Sequence, residues 1–234
     1  MIQKKALIVH DGTKIYYEII GTGFPLVMLH GNSSSGRTFN NQVAFFKDYY
    51  TCIVVDSRGH GRSNNASKTL EFKQMSNDLR EILDAEKIAK AHLLGFSDGG
   101  NIAARFVVDY PEYVEKLILN AANLEVSGLY LHFRFLSKLE IWLANLLKHN
   151  VSVKKLMLKE TKITIQDLQK IKQLTLILVG QFDVVKSVHS KNLAKHIPNA
   201  ILKIVPHAKH SFLQKSPTSY NKIVLAFLQE TRRK

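Results

Sequence analysis

The chemistry legible in this chain starts with a serine set among glycines. In the stretch HLLGFSDGG an apolar run ends at Gly95, Ser97 follows, and Gly99 and Gly100 come directly behind it. A serine on a sharp turn between a strand and a helix holds its hydroxyl in the open, and the positions two residues away must then be nearly free of side chain. A nucleophilic hydroxyl needs a base, and the base needs an acid to orient it. Downstream, Asp183 follows the buried run LTLILVG, and two histidines, His207 and His210, follow ILKIVP. The preceding apolar run, LILNAAN, offers no carboxylate before Glu125. No cluster of Cys, His and carboxylate residues has ligand spacing, so neither a metal nor an organic cofactor is expected.

Groups so far apart in sequence need rigid elements to bring them together. Apolar runs predict strands at Ala6–Val9, Lys14–Ile20, Leu26–Leu29, Tyr50–Val55, His92–Leu94, Lys116–Leu119, Leu174–Val179 and Ala200–Val205. From Leu26 onward they are continuous Val/Ile/Leu segments, the pattern of strands buried on both faces of a parallel sheet. The first two, joined by HDGTK, predict an antiparallel hairpin. Helical spacing follows Ser97 (Ile102, Ala103, Phe106, Val107) and runs from Leu70 to Leu83. The expected fold is therefore α/β with a mostly parallel sheet, a single domain over 1–234. Residues 123–168 interrupt the alternation with leucines at helical spacing, which predicts a helical insertion.

The pattern Gly95-Phe96-Ser97-Asp98-Gly99 between strand and helix is the nucleophile elbow of α/β-hydrolases, and the chain resembles that family of serine hydrolases over most of its length. PLVMLHGNSSS resembles the family's oxyanion loop, VVDSRGHGRS its loop after the next strand, GQFD its acid loop and HAKHSF its histidine loop. The elbow GFSDGG is also similar to that of the biphenyl hydrolase-like branch. The resemblance implies the α/β-hydrolase fold with 123–168 as a short helical cap. It also implies Ser97 as nucleophile, Asp183 as acid and His210, rather than His207, as base. Backbone N–H groups of Asn32 and Asp98 form the implied oxyanion hole. His30 is expected to brace the Gly31–Asn32 loop, and Asp56, Arg58 and His60 to hold a loop beside the site. Lys209, where the family has glycine, and Ser187, where it often has proline, depart from the pattern.

The implied reaction is hydrolysis of a carboxylic ester through an acyl-serine; amide, lactone or carbon–carbon cleavage on the same triad and a non-catalytic binding protein are the alternatives. The substrate is then a small molecule, with Phe133, Phe135, Leu139 and Trp142 of the cap expected to line an apolar acyl pocket. Asp98 is the unexplained residue of the elbow. Its carboxylate suits either the start of the following helix or a cationic group on the substrate. The formal charge of +14 is spread along the chain with no nucleic-acid motif, so a solvated basic surface is expected and no nucleic-acid partner. Leu129 to Leu147 is the most apolar region, yet His132, Arg134, Lys138 and Glu140 break it, which excludes a membrane span of the usual kind. The four-residue apolar run near the N-terminus is too short for a signal-peptide core. Cys52 has no intrachain partner, and a cytoplasmic protein is the expectation.

Overall fold

The computed structural model of the chain describes residues 2–67, 69–147 and 151–230. Its centre is an eight-stranded sheet of order β1-β2-β4-β3-β5-β6-β7-β8. The strands are β1 (Ile2–Ile8), β2 (Lys14–Ile20), β3 (Pro25–Leu29), β4 (Thr51–Asp56), β5 (Ala91–Phe96), β6 (Val114–Asn120), β7 (Leu174–Phe182) and β8 (Ala200–Lys209). The hairpin β1–β2 is antiparallel, β2 pairs antiparallel with β4, and every pairing from β4 to β8 is parallel. The helices are α1 (Asn40–Phe46), α2 (Phe72–Ala85), α3 (Asp98–Asp109), α4 (Leu131–Leu146), α5 (Ser152–Leu156), α6 (Ile165–Lys170), α7 (Ser187–His196), α8 (Phe212–Lys215) and α9 (Pro217–Gln229).

The apolar runs are continuous because both sheet faces are covered. In β3, Val27 and Leu29 pack on one side with Leu79, Ile82, Ile102 and Phe106 of α2 and α3, together with Leu193 of α7. Leu26 and Met28 point the other way, into a second core with Phe46 of α1, Leu213 of α8 and Val224 and Phe227 of α9. Side chains alternate across a strand, so two apolar layers demand apolar residues at every position. Cys52 is buried in the second core, and burial pushes its thiol up to about 12, which leaves it a packing residue.

Strand order reverses about β3, whose neighbours are β4 on one side and β5 on the other. At such a switch point the loops leaving the carboxyl ends of the strands part and leave a crevice. The loops after β3, β5, β7 and β8 carry Asn32, Ser97, Asp183 and His210 to that edge.

The insertion between β6 and β7 divides differently from the expected 123–168. Leu156 of α5 and Leu168 of α6 belong to the core under the sheet, as does Ile171 beyond α6. Asn123, Leu129, Phe133 and Met157 line the cavity at the strand ends, and Val153 O accepts from Asn32. Residues 148–150 of that span lie outside the described residues. The insertion is rooted on the acid loop, where Leu129 bridges Val185 and Lys186 N–H donates to Gly128 O at 2.8 Å.

The turn after β5 is held by contact with β3. A Cβ on Gly99 would overlap the Leu29 carbonyl, and one on Gly95 would overlap the Gly99 carbonyl. The first carbonyl is backbone of β3 and the second backbone of α3, and neither can yield. Gly99→Ala is accordingly expected to destabilise the chain by about 3 kcal/mol or more, read as a lowered urea midpoint at unchanged slope.

Candidate functional site

Ser97 sits between β5 and α3 at φ 55° and ψ −121°, a left-handed conformation that is strained for a residue with a side chain. Its N–H donates to Asn120 O at 2.8 Å, which anchors the turn to the end of β6. Its Oγ lies 3.2 Å from Nε2 of His210. Nδ1 of the same ring lies 2.7 Å from Oδ1 of Asp183. With the Asp183 side chain buried, Nδ1 carries the proton and Nε2 is left to accept from the serine hydroxyl. Val185 N–H donates to Asp183 Oδ1 at 3.1 Å and fixes the carboxylate. The Phe96 ring lies 5.0 Å from the His210 ring and limits its rotation.

His207 is elsewhere. It is exposed, holds φ 57°, and its N–H donates to Gln181 Oε1 at 2.9 Å; its ring nearest to an aromatic is 6.3 Å from Phe182. Of the two histidines, His207 within β8 and His210 just after it, only His210 meets Ser97 and Asp183.

The Asn32 loop abuts the elbow, for a Cβ on Gly31 would come within 3.1 Å of Ser97 Cβ. His30 holds that loop from behind. Its Nδ1 donates to Gly31 O at 2.7 Å and its Nε2 accepts from Ser57 N–H at 3.1 Å, so the ring must be neutral. Burial agrees, lowering His30 to about 4. The neighbouring loop is pinned by carboxylates: Asp56 accepts from Gly36 N–H (2.8 Å) and Arg62 N–H (3.0 Å). The fully buried Arg58 guanidinium is held by Asp78 at 2.5 and 2.6 Å and by Asp11 at 2.7 Å. His60 Nδ1 lies 2.9 Å from Arg58 O.

Asp98 belongs to a polar network that sequence reasoning missed. Asn32 Nδ2 donates to Asp98 Oδ2 at 2.9 Å and to Val153 O at 2.7 Å, while Asn32 Oδ1 accepts from Ser33 Oγ at 2.7 Å. Asn101, one turn into α3, accepts at Oδ1 from the N–H groups of Asn123 and Leu124, both at 3.1 Å. Its Nδ2 donates to Asn123 Oδ1 at 3.1 Å. The Asp98 carboxylate is thus buried against amides beside Ser97. Asn101 Nδ2 also donates to Asp98 Oδ1 at 3.4 Å from one turn along α3, whereas Asn32 lies far away in sequence and no local pattern signals it.

A cavity of about 220 Å³ opens over Ser97, lined by Asn32, Phe96, Asp98, Leu129, Phe133, Met157, Val184, Val185 and His210. Of the expected acyl-pocket residues only Phe133 is among them. Phe135, Leu139 and Trp142 are exposed on the far side of α4 and do not line the cavity. The reason is helical phase: Ser137 and Ala144 are the residues of α4 that pack inward, and Phe133 shares their face. A larger cavity, about 640 Å³, lies between β1, β2, β4 and α1. It holds none of the Ser97–His210–Asp183 chain, so volume is a poorer guide here than chemistry.

A strained serine on a strand–helix turn, joined through one imidazole to a buried carboxylate at a switch point, is the geometry of a serine hydrolase. The model of the alpha/beta hydrolase fold family matches residues 25–148, which include Asn32, Ser97 and Asp98. The chain belongs to that family. It is 26% identical to the human protein Serine hydrolase BPHL, over 94% of this chain and 84% of that one. Among solved structures it is similar to an esterase from Exiguobacterium antarcticum, with TM-score 0.82 at 23% identity, covering 97% of this chain and 100% of that chain. A hydrolase from Pseudomonas aeruginosa PA01 superposes equally well, at TM-score 0.82 and 20% identity over 97% and 99% of the two chains. At these identities the structural likeness establishes the fold.

Within this α/β-hydrolase frame, burial pushes the Asp98 carboxyl up to about 6, against the opposing Asn32 hydrogen bond and the nearby His210. A carboxyl whose folded value lies above its unfolded value of 3.8 binds its proton more tightly when folded. Its contribution to stability is therefore full below the unfolded value and is lost as pH rises through about 6. Asp98→Asn removes that loss. The gap in unfolding free energy between Asp98→Asn and wild type is expected to move in the mutant's favour by about 3 kcal/mol between about pH 4 and about pH 8, measured by urea unfolding of both proteins.

Proposed function

We propose that the chain is a serine hydrolase that cleaves carboxylic esters of small to medium apolar acyl groups. The observation that carries the reading is the continuous chain from Ser97 Oγ through both nitrogens of His210 to Asp183, at 3.2 and 2.7 Å. Ser97 attacks the ester carbonyl carbon while His210 Nε2 takes its proton. The tetrahedral oxyanion is met by the N–H groups of Asn32 and Asp98. His210 returns the proton to the leaving alcohol as the carbon–oxygen bond breaks, leaving an acyl-serine. Water, deprotonated by the same nitrogen, then releases the acid and restores Ser97. Asp183 holds the ring in the required tautomer and stabilises the imidazolium.

Substrate size is argued from the cavity. At about 220 Å³ it is smaller than the ~300–1,000 Å³ of drug-sized ligand sites, and Leu129, Phe133, Met157, Val184 and Val185 give it an apolar wall. The single domain expected over 1–234 is part of this reading, with the segment around α4 as its cap.

Two measurements test it. Ser97→Ala and His210→Ala should each lower kcat on a p-nitrophenyl ester by at least about 10⁴-fold, the pair together little more, and Asp183→Asn should retain about a hundredfold more activity than either. Labelling by a fluorophosphonate should vanish with Ser97→Ala; labelling that persists, or a folded His207→Ala as damaged as His210→Ala, refutes the assignment. Across a graded ester series, kcat/KM should be higher for butyryl than acetyl and fall for dodecanoyl. Equal efficiency throughout would remove the cavity from substrate selection.

A further inference from the structure

Helix α4 is amphipathic in the opposite sense from the other helices. Its inward positions are Phe133, Ser137 and Ala144, while Leu131, Phe135, Leu139, Trp142 and Leu146 recur at helical spacing on the side facing solvent. Phe135 is 68% exposed, Leu146 67% and Trp142 60%. Scattered exposed apolar residues are ordinary, but a continuous stripe of large ones marks a surface that is covered in use. Among the described residues nothing covers it.

Charge identifies what does. Residues 131–162 hold seven lysines and arginines against two glutamates, a balance of +5, within a chain of formal charge +14. Two of these lysines are taken up in ion pairs, Lys154 with Glu140 and Lys159 with Glu71 outside the window, which leaves the balance positive. A second copy of this chain would bring like charge onto the stripe, whereas an anionic lipid surface brings the opposite charge. The stripe is also a convex helix face with Trp, Phe and Leu on it. A helix with basic flanks and such a face lies in the plane of a bilayer interface. No helix among the described residues is long and apolar enough to cross a membrane, so the contact is one of lying on the surface.

We propose that α4 docks the protein onto anionic lipid bilayers, with Leu131, Phe135, Trp142 and Leu146 at headgroup depth and the surrounding lysines and arginines on the lipid charges. The inner face of the same helix supplies Phe133 to the cavity over Ser97. Docking therefore sets the cavity about one helix diameter, ~10 Å, from the lipid. The proposal concerns the outer face and stands apart from the reaction assigned to the inner one.

Trp142 is the chain's single tryptophan and reports on the contact directly. The wild-type protein is titrated with vesicles of equimolar phosphatidylglycerol and phosphatidylcholine, and with phosphatidylcholine alone. Emission should shift to the blue with the anionic vesicles, be quenched when brominated lipid replaces part of the phosphatidylcholine, and reverse as salt is added. The double change Leu136→Glu and Leu143→Glu, at exposed positions that keep the reporter, should weaken vesicle partitioning more than about tenfold with the circular dichroism unchanged. No spectral shift and no co-sedimentation with anionic vesicles at low salt overturns the proposal. So does a double variant that binds as tightly as wild type, since attraction would then come from general charge. A blue-shifted Trp142 in vesicle-free protein that turns red on dilution also overturns it and assigns the stripe to a second copy.

Discussion

A serine held at φ 55° costs on the order of 1–3 kcal/mol and persists only where its surroundings leave no alternative. Here the surroundings are backbone. β3 and β5 are adjacent parallel strands, and α3 starts so close to the end of β3 that Gly99 meets the Leu29 carbonyl directly. Ser97 N–H is fixed on Asn120 O at the end of β6. Three strands therefore define one turn, and the strain at Ser97 is balanced by the packing of the whole central sheet. The positions of the other site groups follow from that geometry. Gly31 can lie against Ser97, His30 can hold its loop as a neutral ring, and the ends of β7 and β8 bring Asp183 and His210 up to the hydroxyl.

The legible parts of the sequence were those whose cause is local. The range Lys14–Ile20 is the observed β2, and the apolar runs of β3 to β7 stand out because burial on both faces leaves no room for polar residues. β1 begins earlier than expected, at Ile2, because it is an edge strand whose first residues, Ile2, Gln3 and Lys4, are all exposed and carry no alternation. α1 and α7 are short helices with mixed faces, positioned by tertiary contact, and periodicity did not announce them. α9 is different: Tyr220, Val224, Phe227 and Leu228 have helical spacing and were available to be found.

The cap shows where pattern alone fails. α4 carries its large apolar stripe on the side away from the body of the protein, so periodicity identifies a helix without saying which side faces inward. The inward side is chosen by the small residues Ser137 and Ala144, which allow close approach to the body of the protein, and Phe135, Leu139 and Trp142 fall opposite them. The network of Asn32, Asp98, Asn101 and Asn123 was invisible for another reason. Each residue alone is an unremarkable polar loop or helix residue, and only the fold makes them partners.

Asn32 gives that network a historical meaning. One amide joins the loop beside Ser97, the buried acid of the elbow and, through Val153, the inserted segment. The insertion between β6 and β7 is thereby tied by one side chain to the elbow it covers. A lineage that replaced or shortened it would free an N–H of Asn32 and alter the balance around Asp98 at the same time. A change in the position of the inserted segment and a change in the support of the elbow are therefore coupled through one side chain.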